Sequence, residues 1–287
     1  MTDFAPQAAI GVFDSGVGGL SVLRHIREQL PQEALIYFAD AGFAPYGDKS
    51  EQEIMVRTRF AAEYLLAEGV KAIVVACNTA TAAAIAMLRS HYPDLIIVGV
   101  EPGLKPAAAL SQTRCAGVLA TTTTLASAKY QQLSAQIGAA TGVRFVHQAC
   151  PGLVDRIERG ELDHPDTLAL LRSYLQPIWD SPADVLVLGC THYPFVEPAI
   201  RRIAEIEHRS TIQVIDTGTA IAKQLQRLLA QQQLLHQHPA TALIRCATTG
   251  ESGKLDFALT RLLHLRPEHF TIREMGAKQV ANSGQAL

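Results

Sequence analysis

The chain has 287 residues, of which 48% are hydrophobic and 18% charged, with a formal net charge of −2. That length accommodates two domains of ordinary size, the composition is that of a folded globular protein, and the near-neutral balance with no Lys/Arg cluster excludes a bulk attraction to nucleic acid or an anionic membrane. The N-terminus has no basic leader, no apolar run approaches the about 18–20 residues of a membrane span, and the five scattered cysteines contain no Cys-x-x-Cys. These features predict a cytoplasmic protein with free thiols, no disulfide framework and no metal site.

Strand-like and helix-like patterns then alternate along the chain. Ile10–Phe13, Ala34–Phe38, Ala72–Ala76 and Leu95–Val100 read as buried strands. Between them, Leu20, Leu23, Ile26 and Leu30 mark one face of a helix ended by Pro31. A second helix covers about Gln52–Ala67 and stops at Gly69, and a third follows Cys77 to about Arg89. The stretch Glu101–Pro106 reads as a crossover between domains. The pattern restarts with strands at Ala116–Ala120, Val143–Val146, Val185–Leu188 and Ile212–Ile215. A helix to about Leu229, a strand at Ala242–Cys246 and a short final helix and strand complete the chain. This βαβ alternation predicts parallel sheets covered by helices.

The restart reads as an internal duplication. Gly11-Val12 aligns with Gly117-Val118 and Pro45 with Pro151 at one offset, and Cys77 aligns with Cys190 at a slightly longer one. Each cysteine ends a β-branched apolar run, Val-Val-Ala-Cys-Asn-Thr-Ala (74–80) and Val-Leu-Gly-Cys-Thr-His-Tyr-Pro (187–194), and each is expected at the start of the next helix. Ligands of open α/β sheets bind beyond the carboxyl ends of the strands. A helix N-terminus there favours a thiolate and holds a carboxylate. One such cysteine alone is a small buried hydrophobe; a matched pair, one per half, points to two thiols serving one substrate.

Other residues gather at the same expected edge. Asp14 closes the first strand before Ser15 and a glycine turn, placed to relay a proton near Cys77, to orient an ammonium group, or to cap the following helix. Gly16–Ser21 partly matches a dinucleotide fingerprint, with Asp40 where a ribose-binding acid would stand, but Ser21 replaces the third glycine. His192 follows Cys190 by two positions and can exchange a proton with it. Ala44-Pro45-Tyr46-Gly47 forms a rigid turn, Thr121–Thr124 follows a strand, and Asn78, Thr79 and Thr191 flank the cysteines. Hydroxyl and amide groups so placed suit a small carboxylate.

The strings Phe-Asp-Ser-Gly-Val-Gly-Gly-Leu (13–20), Pro-Tyr-Gly (45–47), Ala-Cys-Asn-Thr-Ala (76–80), Gly-Val-Leu-Ala-Thr-Thr (117–122), Gly-Cys-Thr-His-Tyr-Pro (189–194) and Ile-Asp-Thr-Gly (215–218) resemble the glutamate racemases of the cofactor-independent aspartate/glutamate racemase family, over about residues 10–250. The resemblance implies two pseudo-symmetric α/β domains with mostly parallel sheets and an active site in the cleft between them. The first domain is expected over 1–98 plus 213–287 and the second over 99–212. It implies interconversion of L- and D-glutamate without cofactor or metal, supplying D-glutamate for peptidoglycan. Cys77 would remove the α-proton of D-glutamate and Cys190 that of L-glutamate. Asp14 and His192 would assist, and Glu158 would support the second thiol. Ser15, Tyr46, Gly47, Asn78, Thr79 and Thr191 join Asp14 and His192 as substrate contacts, with Pro45 and Thr121 beside them. The chain departs from the family pattern at Gly152, Asp155 and Arg156, where bulkier or apolar residues are expected. The expected partners are glutamate and, at most, a second copy of the chain in a homodimer, with no nucleic acid or membrane. A racemase of aspartate or another small amino acid is the alternative in the same class; a nucleotide-binding oxidoreductase and a non-catalytic binding module are the alternatives outside it.

The chemistry agrees with that reading. Racemisation removes a proton from one face of Cα and returns one to the other, which two bases accomplish without turning the substrate over. An ordinary thiol ionises at about 8.5, so its surroundings must bring a thiolate within reach at neutral pH. The α-proton is a poor acid, which places the remaining burden on hydrogen bonds to the α-carboxylate.

Overall fold

The computed structural model describes residues 4–236 and 243–275. Two sheets form, and every strand pairing in them is parallel.

The first unit begins with β1 (Ile10–Asp14), α1 (Leu20–Gln29), β2 (Leu35–Ala39), α2 (Glu51–Ala67), β3 (Ala72–Val75), α3 (Asn78–His91) and β4 (Ile96–Gly99). β1, β2 and β3 are buried along their whole length, as expected of strands with helices on both faces. α2 starts at a capping box: Ser50 accepts from the Glu53 N–H while the Glu53 carboxylate accepts from the Ser50 N–H. The helix ends before Gly69, at φ +78°, where a residue without Cβ adopts the left-handed turn at no steric cost.

The second unit contains α4 (Leu104–Leu110), β5 (Cys115–Ala120), α5 (Thr122–Ala126), α6 (Ala128–Thr141), β6 (Arg144–Ala149), α7 (Leu153–Glu158), α8 (Pro165–Trp179), β7 (Val185–Leu188), α9 (Glu197–Ile206) and β8 (Gln213–Ile215). The first unit then resumes with α10 (Gly218–Gln231), β9 (Ile244–Thr248), α11 (Ser252–Arg261) and β10 (Phe270–Glu274). By its contacts the chain divides into Met1–Val100 with Gly218–Leu287, and Glu101–Thr217. β8 pairs with β7 and β4 with β3, so the chain leaves the first unit after Val100 and re-enters it only at Gly218, rather than at the expected 98 and 213. The crossover is shorter than expected as well, because α4 is already helical at Leu104. The remaining element ends shift by one to three residues, and Ala242, the expected start of β9, lies outside the described residues.

The sheet orders carry the duplication. The first sheet runs β10-β9-β2-β1-β3-β4 and the second β6-β5-β7-β8, so the block β2-β1-β3-β4 recurs strand for strand. Val12 in β1 faces Val74 in β3, and Val118 in β5 faces Val187 in β7. Cys77 and Cys190 stand equally far beyond those partners along the chain. The aligned glycines have one purpose: a Cβ on Gly11 would press on Leu65 of α2, and one on Gly117 on Ile178 of α8, the corresponding helix of the second unit. After β4 the chain passes to the second unit, where α4 packs beside α6 and β7; after β8 it returns to the first, where α10 packs beside α1 and β4. The aligned prolines are not equivalent, because a 3-10 turn at Ala41–Phe43 separates β2 from Pro45 whereas Pro151 follows β6 almost directly. Among the described residues no helix is long and apolar enough to cross a membrane.

Candidate active site

Parallel pairing puts the carboxyl ends of all strands of a sheet on one edge, and the expected residues stand on that edge in each unit.

In the first unit, Asp14 is the last residue of β1 and fully buried, and its Oδ2 accepts the Gly16 N–H at 2.9 Å. Asp14 does not cap α1, whose N-cap is Gly19. A Cβ on Gly19 would fall 2.6 Å from the Asp14 Cβ, so only glycine lets the loop fold this closely over the carboxylate. Cys77 is the N-cap of α3, its sulfur accepting the Ala80 N–H at 3.4 Å, and the Ser15 hydroxyl lies 3.5 Å from the same sulfur. Asn78 and Thr79, half-buried, open α3. Pro45, after a cis peptide bond, precedes a 3-10 turn at Tyr46–Asp48 that contains Gly47. That turn packs on α3. Tyr46 is buried and donates its hydroxyl to Asp40 Oδ2 at 2.6 Å. Burial, reinforced by the Asp40 charge, pushes its ionisation far above the usual phenol range, so it remains a donor.

Asp40 is fully buried and saturated by protein donors. Arg57 reaches Oδ2 through Nε at 2.9 Å and Oδ1 through Nη2 at 2.7 Å, and Thr249 donates to Oδ1 at 2.8 Å. A carboxylate so occupied has no role on a ribose, which removes the acid that the nucleotide reading required.

In the second unit, Thr121 caps α5, accepting from Thr124 N at 3.2 Å. Cys190, Thr191 and His192 are buried. Cys190 does not start a helix, contrary to expectation: it begins a tight turn closed by Tyr193 N to Cys190 O at 3.1 Å, a 3-10 turn occupies Tyr193–Val196, and α9 starts only at Glu197. Prolines at 194 and 198 suit the first turns of these two helical pieces and separate them. The sulfur therefore lacks the helix start that Cys77 has. Its neighbour is the His192 ring, with Nδ1 3.8 Å from Sγ, and Nε2 of the same ring is 3.0 Å from Glu158 Oε1. Glu158 reaches this point from the last position of α7. Burial, the largest single influence on His192, disfavours its charge. The Cys190 sulfur and the Glu158 carboxylate outweigh it and raise the ring well above the ordinary imidazole value.

Sequence reasoning missed two features of these surroundings. The Arg57 and Thr249 partners of Asp40 lie on α2 and after β9, and no local pattern signals them. Cys150, next to Tyr193, is a third thiol near Cys190; burial pushes it up to about 12, which keeps it neutral.

The family model for Asp/Glu/Hydantoin racemases matches residues 10–225. A glutamate racemase from Ectopseudomonas mendocina is 51% identical over 257 residues, covering 90% of this chain and 95% of the relative. Among solved structures, a glutamate racemase from Bacillus anthracis has a TM-score of 0.83 at 28% identity, covering 95% of this chain and 98% of its own. The Escherichia coli glutamate racemase, solved with L-glutamate and the activator UDP-MurNAc-Ala, has a TM-score of 0.81 at 29% identity, covering 94% of this chain and 100% of its own.

Proposed function

The chain belongs to the Asp/Glu/Hydantoin racemase family, and on that footing we propose that it interconverts L- and D-glutamate by proton transfer between two cysteines and the substrate Cα. The observation that carries this reading is the pair of thiols at equivalent strand ends of duplicated units, each with its own polar partners.

In one direction Cys77, as thiolate, takes the α-proton of D-glutamate while Cys190, as thiol, delivers a proton to the opposite face; the reverse direction exchanges the roles. The product leaves with one proton gained and one lost, and each sulfur has changed its protonation state. The N–H groups at the start of α3 and the Ser15 hydroxyl favour negative charge on the Cys77 sulfur. On the other side the charged His192, held by Glu158, sits beside Cys190 to pass a proton to or from it. Asp14 orients the substrate ammonium group. Backbone N–H groups and the side chains of Asn78, Thr79, Thr121 and Thr191 hold the carboxylates, which stabilises the charge developing at the α-carboxylate in the transition state. The product D-glutamate feeds cell-wall peptidoglycan, which places the enzyme in the cytoplasm.

The test is racemisation in deuterated water with either enantiomer of glutamate and of aspartate. Deuterium should enter Cα of the product glutamate once per inversion, and aspartate should turn over far more slowly. Inversion that retains the original proton, or a preference for aspartate, overturns the reading.

A further inference from the structure

Asp40 is fully buried and hydrogen-bonded on both oxygens, and the reaction makes no direct use of it. Its two oxygens take four donors from three parts of the chain: the two guanidinium nitrogens of Arg57 on α2, the Tyr46 hydroxyl, and the Thr249 hydroxyl beyond β9. Arg57 is itself clamped, its guanidinium carbon 3.6 Å from the Phe43 ring centroid and 4.6 Å from that of Phe60. Thr249 also accepts the Gly42 N–H at 3.0 Å. The segment between β2 and α2 is thus wrapped around one buried charge, and its Tyr46–Asp48 turn packs against α3, whose N-cap is Cys77. Tyr46 also belongs to the same buried apolar cluster as Cys77 and Phe13.

We propose that Asp40 is a positioning residue of the Cys77 half-reaction: through the Tyr46 hydroxyl it fixes the Pro45–Gly47 turn against the start of α3 and so sets the Cys77 sulfur relative to the substrate Cα. The proposal rests on the racemase reading. The single O–H of Tyr46 is donated to Asp40 Oδ2 at 2.6 Å, so the hydroxyl acts through Asp40 and the turn rather than on glutamate. A buried carboxylate with preorganised donors keeps the geometry that a hydrogen-bonded turn on the surface would lose to water.

The test uses Tyr46→Phe, which removes only the hydroxyl, together with Asp40→Asn and the double variant. Loss of a hydrogen bond to a charged group should lower kcat/KM about tenfold or more in Tyr46→Phe. The primary isotope effect on α-deuterated D-glutamate should grow, because proton abstraction by Cys77 becomes slower, while that on L-glutamate should not. The double variant should lose little more activity than Asp40→Asn alone, since both act through one link. A wild-type isotope effect in Tyr46→Phe, or losses that simply multiply in the double variant, overturns the positioning role. Should Asp40→Asn fail to fold, the isotope effects of Tyr46→Phe decide alone. A wild-type protein that does not racemise glutamate removes the underlying reading instead, a distinct outcome.

Discussion

The Nε2 of His192 lies 3.0 Å from the Oε1 of Glu158, and the other ring nitrogen, Nδ1, lies 3.8 Å from the Cys190 sulfur. One buried imidazole therefore links a partly exposed carboxylate to a thiol. The Cys77 sulfur instead has a hydroxyl and a helix start beside it.

Replacing Glu158 by Gln removes one of the two groups that hold the charge on His192, so the ring should lose its proton at lower pH. The high-pH limb of the activity profile that depends on charged His192 should move to lower pH. Stability should follow the same linkage. A raised histidine contributes stability that is fully present below the unfolded value of about 6.5 and is lost as pH rises through the folded value. Glu158→Gln should thus cost most stability at about pH 6 and least at high pH. A pH profile and melting curves that do not move would show that the carboxylate leaves the ring unaffected.

Cys77→Ala and Cys190→Ala should each reduce racemisation by about a thousandfold or more, the scale of a lost proton-transfer group. Exchange without inversion separates the two. Cys77→Ala should still exchange the α-proton of L-glutamate with deuterated water, and Cys190→Ala that of D-glutamate, as read by NMR. Substantial turnover in either variant would defeat the two-base mechanism.

Ser15→Ala removes the hydroxyl 3.5 Å from the Cys77 sulfur. A hydrogen bond to a charged group contributes about 1.5–3 kcal/mol, so with Cys77 as thiolate kcat/KM should fall about tenfold or more with the melting temperature nearly unchanged. Steady-state kinetics beside a thermal melt distinguish this from a folding defect, which would lower both.

Gly117→Ala should be the more disruptive of two equivalent substitutions. Its Cβ would stand 2.5 Å from Ile178 Cγ2, whereas that of Gly11→Ala would stand 3.0 Å from the Leu65 methyls. Overpacking of this kind costs about 1–3 kcal/mol. Denaturant titration should rank the variants in that order, and equal stability would contradict the tighter approach of α8 to β5.

Much of this protein is determined locally. Continuous β-branched runs, amphipathic helical spacing and turn residues mark the parallel α/β units, because burial on both faces demands those patterns. Asp14, Cys77 and Cys190 are legible because a parallel sheet delivers the ends of its strands to one edge. Three things were decided only by the tertiary structure. β8 completes the second sheet by pairing with β7, which moves the domain return to Gly218. Cys190 lies in a turn rather than at a helix start because the 3-10 segment intervenes before α9. Asp40, which in sequence resembles a ribose ligand, is sequestered by Arg57 and Thr249 from distant elements. Periodicity and spacing report which face of an element is buried, but not which remote side chain satisfies a buried charge, because that partner is chosen by the packing of the whole unit.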